Sequence, residues 1–263
     1  MSDFTGKRVI VTGAASGIGD ATVRRLKAGG AHVVSLDRNA PTAEVDTHIT
    51  VDLADPHSID NAVAQLDGTF DALLNVAGVP GTSPADTVIA VNVLGMRHLI
   101  ESSLGLLEPG GSVVVVSSSA GYGWPNRLET IKELLATDTF EEGAAWFAAN
   151  PQKGNAYNFS KEVATVYVMT MGVALNDMGL RINAILPGPV QTPILEDFRV
   201  SMGEDNIDGI ATLLGRHATP DDIASSILFL ASPNAGWVNG TSLIVDGGIS
   251  GVVLTGLVPT PEI

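Results

Sequence analysis

Val9-Ile10-Val11-Thr12-Gly13-Ala14-Ala15-Ser16-Gly17-Ile18-Gly19 is an apolar run that breaks into glycine-rich text and then resumes with helical spacing. It reads as a buried strand, a tight turn and a helix start. Glycines at 13, 17 and 19 let the backbone turn sharply, so that exposed N–H groups and the positive end of a helix dipole meet an anion such as a pyrophosphate. The spacing is G-x-x-x-G-x-G and not the common G-x-G-x-x-G. Gly13, Ser16, Gly17, Ile18 and Gly19 are the candidate cradle. Asp37 closes the second apolar run about 20 residues on, where a carboxylate accepts hydrogen bonds from adenine ribose hydroxyls and repels a 2′-phosphate. This favours NAD over NADP, although the guanidinium of the neighbouring Arg38 has the charge that a 2′-phosphate would need.

Further along, Tyr157-Asn158-Phe159-Ser160-Lys161 sets a phenol and an ammonium four residues apart. On a helix these share a face, so Lys161 can stabilise ionised Tyr157. A cation ~4 Å away at an effective dielectric of ~20 contributes ~4 kcal/mol, or ~3 pK units, enough to bring a tyrosine from about 10 to near 7 with help from a second positive charge.

Short runs rich in valine and isoleucine recur near 8 to 11, 32 to 36, 48 to 51, 71 to 76, 112 to 117, 181 to 186 and 242 to 245, separated by amphipathic segments. The alternation predicts right-handed βαβ crossovers and a Rossmann-type, doubly wound parallel α/β sheet of about seven strands in a single domain over residues 1–263. Two segments interrupt the rhythm. Residues 124–151 read as a small insert of two short helices before the Tyr157 helix, in which Trp124, Leu128, Trp146 and Phe147 either line an apolar pocket or pack the helices together. Residues 193–215 carry Ile194, Leu195, Phe198 and Met202 at helical spacing and suit a mobile lid.

Composition narrows the function classes. Hydrophobic residues make up 45 % and charged residues 16 %, which argues for a packed globule. A net charge of −15 disfavours nucleic acid or an anionic membrane surface as partner. With no cysteine, disulfides and thiolate chemistry are excluded, and His32, His48, His57, His98 and His217 have no metal-ligand spacing, so no metal site is expected. The N-terminal residues run into the first strand without the apolar stretch of a signal peptide, and the uncharged text from Ile223 to Val245 is broken by Pro233, Gly236 and Gly240. A cytoplasmic protein outside the membrane is the expectation.

From residue 7 to about 250 the chain resembles the short-chain dehydrogenase/reductase family, with its motifs in order. The turn from Thr12 to Gly19 is similar to the cofactor motif, Asp52-Leu53 to the adenine contact, and Asn75-Val76-Ala77-Gly78 to the N-x-A-G turn. Asn92 is similar to the helix asparagine that keeps a proton-relay water, and Ser118, three residues before Gly121, to the serine that holds the substrate oxygen. Ser117 and Ser119 are the neighbouring alternatives. Pro187-Gly188 with Val190 and Thr192 resembles the loop that binds the nicotinamide carboxamide, and Val245-Asp246-Gly247-Gly248 the last strand.

The resemblance implies NAD as cofactor, held also by Tyr157 and Lys161, with Asn92, Ser118, Tyr157 and Lys161 as the catalytic set. Within the family, the insert and the text around Pro187 to Phe198 resemble coniferyl-alcohol dehydrogenases and, in the placement of the insert, 3α-hydroxysteroid dehydrogenase/carbonyl reductases. The expected partner is therefore a small hydrophobic, ring-bearing alcohol or its carbonyl counterpart, with Trp124, Trp146, Ile194, Leu195 and Phe198 as candidate pocket residues. The rival is a non-catalytic NAD-binding redox sensor, against which the intact Ser118, Tyr157 and Lys161 speak. A homodimer or homotetramer is expected, with the apolar run Ile223 to Leu230 offered as an exposed contact face.

Overall fold

The sheet is built from strands that are apolar on both faces, as parallel strands covered by helices on each side must be. A computed structural model describes residues 4–257. Strands β1 (Arg8–Thr12), β2 (His32–Asp37), β3 (Thr47–Thr50), β4 (Phe70–Asn75), β5 (Leu107–Val116), β6 (Arg181–Pro187) and β7 (Ser242–Val245) form one sheet in the order β3-β2-β1-β4-β5-β6-β7. All neighbours are parallel. The chain leaves β1 toward β2 and β3 and returns on the other side of β1 with β4. This switch point opens a crevice at the carboxyl ends of the strands.

The helices are α1 (Gly17–Ala28), α2 (Pro56–Val63), α3 (Ala85–Ile89), α4 (Met96–Ser103), α5 (Leu128–Leu135), α6 (Phe140–Ala149), α7 (Ala156–Ala174), α8 (Leu195–Met202), α9 (Glu204–Leu214), α10 (Pro220–Ala231) and α11 (Ile249–Leu254). Alternate strand residues feed two cores. Ile10, Leu36, Leu73, Val113 and Val115 pack with Ile59, Leu99, Ile100 and Val168 on one face. Val9, Val11, Val33, Leu74 and Val114 pack with Val23, Leu26, Ile223 and Ile227 on the other.

That second core corrects one expectation. The apolar run of α10 belongs to the protein's own interior, with Ile223, Ala224, Ile227 and Leu230 fully buried, and only Phe229 remains 41 % exposed. Trp237 nearby in sequence is completely exposed. Strand β5 also starts earlier than expected, because Leu107 pairs with Phe70 before the register shifts ahead of Ala72.

The insert forms the expected two helices, α5 and α6, preceded by a 3₁₀ stretch from Ser119 to Arg127. It has a core of its own, in which Ile131 and Leu134 meet Ile89, Val93, Leu94, Phe159, Val163 and Val166. Between α3 and α4 the helix widens into a π turn, Ala90–Gly95. Gly95 lets the Leu53 carbonyl approach there, since a Cβ would lie 2.0 Å from that oxygen.

At the switch point, fully buried Thr12 accepts hydrogen bonds through Oγ1 from the N–H groups of Val76 and Ala77, each 3.0 Å. One hydroxyl thus ties the carboxyl ends of β1 and β4. Thr12→Val keeps the shape and removes the shared acceptor of two part-buried N–H groups, at about 0.5–1.5 kcal/mol each. The expected outcome is a loss of about 1–3 kcal/mol in urea unfolding; a change under about 0.5 kcal/mol shows that the tie is dispensable.

Candidate active site

A cleft of about 940 Å³ follows the strand ends from Asp37 to the α8–α9 segment. Along its first half, Gly13 and Gly17 take φ of 68° and 54°, in the left-handed region that favours glycine. A Cβ on Gly19 would lie 1.9 Å from the Gly13 carbonyl oxygen, so the turn closes only without one. Ser16, the N-cap of α1, makes no side-chain cap, which leaves the first-turn N–H groups of Gly17, Ile18 and Gly19 at the cleft wall for an anion. Asp37 accepts from the backbone N–H of Ala15 at 3.0 Å and of Asn39 at 2.9 Å, which locks the carboxylate beside the turn. Asp52, Leu53, Ala77, Gly78, Pro187, Gly188, Val190 and Thr192 line the same cleft. Asn75 does not; it lies beneath, 2 % exposed, with Oδ1 buried and without a partner among the described residues. The long groove and the uncapped helix start fit a dinucleotide, and both Asp37 and Arg38 line the wall beside the turn.

In the middle of the cleft stands α7, whose N-cap Asn155 accepts from the Tyr157 N–H at 2.8 Å. Tyr157 and Lys161 both face the cleft, and both are almost fully buried. Lys161 Nζ donates to the Val116 carbonyl at 3.0 Å and lies 5.5 Å from the Tyr157 ring centre. Burial lowers the lysine to about 8. It raises the Tyr157 phenol to about 12, against the opposing hydrogen bond with Ser118. The expected value near 7 is thus not that of this state, because desolvation outweighs an ammonium that sits over the ring and not at the phenol oxygen. At neutral pH Lys161 is a cation and Tyr157 a neutral hydroxyl, poised to donate a proton.

Of the three serines, Ser118 is the one hydrogen-bonded to Tyr157; its Oγ also accepts from the Ala120 N–H at 3.1 Å. Ser117 turns inward, donating to the Lys161 carbonyl at 2.8 Å and pairing with Thr165 Oγ1 at 3.0 Å. Asn92, in the π turn, clamps the loop after β4: Oδ1 accepts from the Val79 N–H at 2.9 Å, and Nδ2 donates to the Val79 carbonyl at 3.0 Å and to Ser160 Oγ at 3.2 Å. Its carboxamide is 3.2 Å from the Cβ position of Gly78, and Lys161 Nζ is 3.5 Å from the same point.

The outer half of the cleft is apolar. Ile194, Phe198 and Met202 come from the lid segment and Ile207 and Ile210 from α9; the Phe198 ring lies 5.1 Å from that of Tyr157. Trp124 and Trp146 do not line it. They pack in the insert's own core with Leu128 and Phe147, because a short helical pair must first bury its own apolar surface. Leu195 also lies outside the walls. Ile249 and Val253 of α11, Tyr122 and Pro125 of the 3₁₀ stretch, and Asn158 and Glu162 of α7 line the cleft without having been expected there. The last two could have been found by stepping one residue on from Tyr157 and Lys161. Among the described residues no group of histidines and carboxylates is arranged to hold a metal.

Comparison with known proteins gives a consistent result. A family model described as short chain dehydrogenase matches residues 7–128, and one described as enoyl-(acyl carrier protein) reductase matches residues 146–250. The chain is similar to a coniferyl-alcohol dehydrogenase of Pseudomonas sp. (strain HR199 / DSM 7063), 40 % identical over 94 % of this chain and 98 % of that one. It is 31 % identical to a 3-alpha-hydroxysteroid dehydrogenase/carbonyl reductase of Comamonas testosteroni, over 93 % and 97 % of the two chains. The crystal structure of a 3-alpha-hydroxysteroid dehydrogenase from Pseudomonas sp. B-0831, complexed with NADH, superposes with a TM-score of 0.80 at 30 % identity, covering 96 % of this chain and 100 % of the other.

The depressed lysine implies that folding works against burying its charge. The unfolded chain holds more protons between pH 8 and pH 10.5, so stability rises with pH across that window and the penalty, about 3 kcal/mol, is complete below it. Lys161→Met removes the penalty and loses the bond to Val116. At pH 7 the variant is expected to be inactive and about 2 kcal/mol more stable in thermal unfolding, an advantage that shrinks toward pH 10.5. A less stable variant at pH 7 disproves the charge penalty.

Proposed function

The chain belongs to the short-chain dehydrogenase/reductase family, and from that membership we propose that it is an NAD-dependent dehydrogenase oxidising a hydrophobic, ring-bearing alcohol of the aryl-allylic, coniferyl type. The observation that carries the reading is the meeting of Ser118, Tyr157 and Lys161 at the base of a cleft whose outer walls are apolar.

Gly13, Ser16, Gly17, Ile18, Gly19, Asp37, Asp52 and Leu53 would hold the adenosine and pyrophosphate of NAD. Ala77, Gly78, Tyr157, Lys161, Pro187, Gly188, Val190 and Thr192 would hold its nicotinamide half, with Asn75 supporting the floor. When bound, NAD supplies the hydride acceptor and a positive ring charge. Ser118 donates a hydrogen bond to the substrate oxygen and holds it against the phenol. For oxidation the Tyr157 phenol first releases its own proton on the Lys161 side; the ionised Oη then takes the hydroxyl proton of the alcohol as the carbonyl forms, and in the reverse direction the neutral phenol donates its proton. Lys161 stabilises the ionised phenol electrostatically. Asn92 fixes the loop that flanks Lys161, the side from which the proton would leave to solvent. Ile194 and Phe198 exclude water above the reacting carbon.

Asp37, immobilised by two backbone N–H groups, would oppose a 2′-phosphate. NAD is therefore expected to exceed NADP at least tenfold in kcat/KM; equal values show that Arg38 governs the site. The protein is proposed to act in the cytoplasm as a homo-oligomer, at least a dimer joined through α10 and β7, with Phe229 of α10 and Trp237 of the segment between the two elements exposed. A monomer mass in light scattering excludes this. Among the described residues no helix is long and apolar enough to cross a membrane.

A panel assayed by NADH absorbance tests the function. Coniferyl and cinnamyl alcohols are expected to exceed simple aliphatic alcohols at least tenfold in kcat/KM, and Tyr157→Phe should lower turnover by several orders of magnitude while NAD binding persists. A 3α-hydroxysteroid in the lead would favour the second reading, which the fold similarity to the steroid enzyme supports. NAD binding with no oxidation of any alcohol would favour the non-catalytic reading.

A further inference from the structure

The segment that follows β6 is braced within itself and tied to the rest of the protein at one polar point. Arg199 of α8 donates to Glu196 at 3.1 Å and to Asp208 of α9 at 2.9 and 3.1 Å, so the two helices hold each other. Outside residues 190–217, α8 makes a single hydrogen bond or ion pair among the described residues. Thr82 Oγ1, in the loop after β4, donates to Asp197 Oδ1 at 2.7 Å. The strands that feed the two partners, β4 and β6, lie on either side of β5, which leads to Ser118. The bond therefore closes a ring of chain over the reacting side chains.

Thr82 is a fixed post. Asn92 grips Val79 by both its backbone groups, and Gly81 packs so closely on Asn155 that an added Cβ would lie 2.7 Å from both the nitrogen and the oxygen of that carboxamide. Asn155 in turn caps α7 at Tyr157. On the lid side, the residue after Asp197 is Phe198, whose ring lies 5.1 Å from that of Tyr157. Successive residues of a helix point about 100° apart, so a bond at Asp197 sets the rotation of α8 and with it the place of the Phe198 ring. Neither Thr82 nor Asp197 lines the cleft, and the pair acts through Phe198. Thr82 is exposed, so water competes for the bond and the latch holds the lid without locking it.

We propose that Thr82 and Asp197 are positioning residues whose bond sets Phe198 as the wall over the Tyr157 phenol before the alcohol arrives, so that binding does not have to order the lid. This rests on the reading that the alcohol reacts at Tyr157. Thr82→Val keeps the shape of the side chain and removes the donor, while Thr82→Ser keeps the donor. With coniferyl alcohol and saturating NAD, Thr82→Val is expected to raise KM at least threefold and to leave kcat within twofold of the wild type, and Thr82→Ser to keep the wild-type values. KM does not depend on the fraction folded, so a mere loss of stability would lower kcat alone. Any other pattern, such as a rise in KM shared by Thr82→Ser or an effect confined to kcat, overturns the proposal. Should no alcohol be oxidised, the reading of the function fails, and deuterium uptake by α8 in the protein alone still decides the latch. Uptake at least threefold faster in Thr82→Val than in the wild type and Thr82→Ser upholds it; any smaller difference overturns it.

Discussion

An ammonium almost fully buried at the wall of the cleft is the constraint around which this molecule is arranged. Lys161 has one hydrogen bond, to the carbonyl of Val116 at the end of β5, and remains charged at neutral pH only because burial stops short of driving it below about 8. The surroundings fix the residue that carries it. Ser117 donates to the Lys161 carbonyl, and Gly121 lets the 3₁₀ stretch press on the same group, with a Cβ position 2.6 Å from that oxygen. On the other side Gly78 comes near Nζ, held there by the Asn92 clamp on Val79. Three separate chain segments thus converge on one residue, by its carbonyl and by its ammonium, whose buried charge costs stability, a pattern that marks chemistry and not packing.

The fold was legible because its signals are local and repeated. Seven β-branched runs, glycine at 13, 17 and 19, and a carboxylate at the end of the second run can be read without knowing any long-range contact, and the sheet follows from them. The walls of the site were less legible, for a physical reason. Helical periodicity reports that one side of a segment is apolar without saying what covers it. Trp124 and Trp146 were as plausible in a pocket as in a small core, and the insert's need for its own interior decided between them. The apolar face of α10 turned inward for the same reason. Desolvation, which sets the ionisation of Tyr157, depends on enclosure by distant segments and has no signature in neighbouring residues. The walls contributed by α11 were missed because its residues lie beyond the last recognisable strand.

The insert follows a different logic from the sheet. The two family models stop at residue 128 and resume at residue 146, so most of α5 and the start of α6 fall between them. Nevertheless the insert is seated firmly. Arg127 pairs with Glu162 across to α7 while its guanidinium lies 5.0 Å over the Phe159 ring, and buried Gly143 brings α6 close to Leu94. An appendage thereby shares a core with the helix that carries the reacting side chains.

That sharing leaves α7 with almost no spare surface. From Phe159 to Val168 every residue is buried: some against the sheet, some against the insert, and Lys161 and Glu162 in the cleft. Selection for folding and selection for chemistry therefore act on the same letters, and nearly any substitution in this stretch harms both. Room for divergence lies elsewhere, around Tyr122, Pro125 and Asn126 and in α8, α9 and α11, which are partly open to solvent and, Ile207 apart, contribute walls without burying residues in the core. A lineage built on this chain can change its substrate range by drift in those four regions while α7 stays fixed.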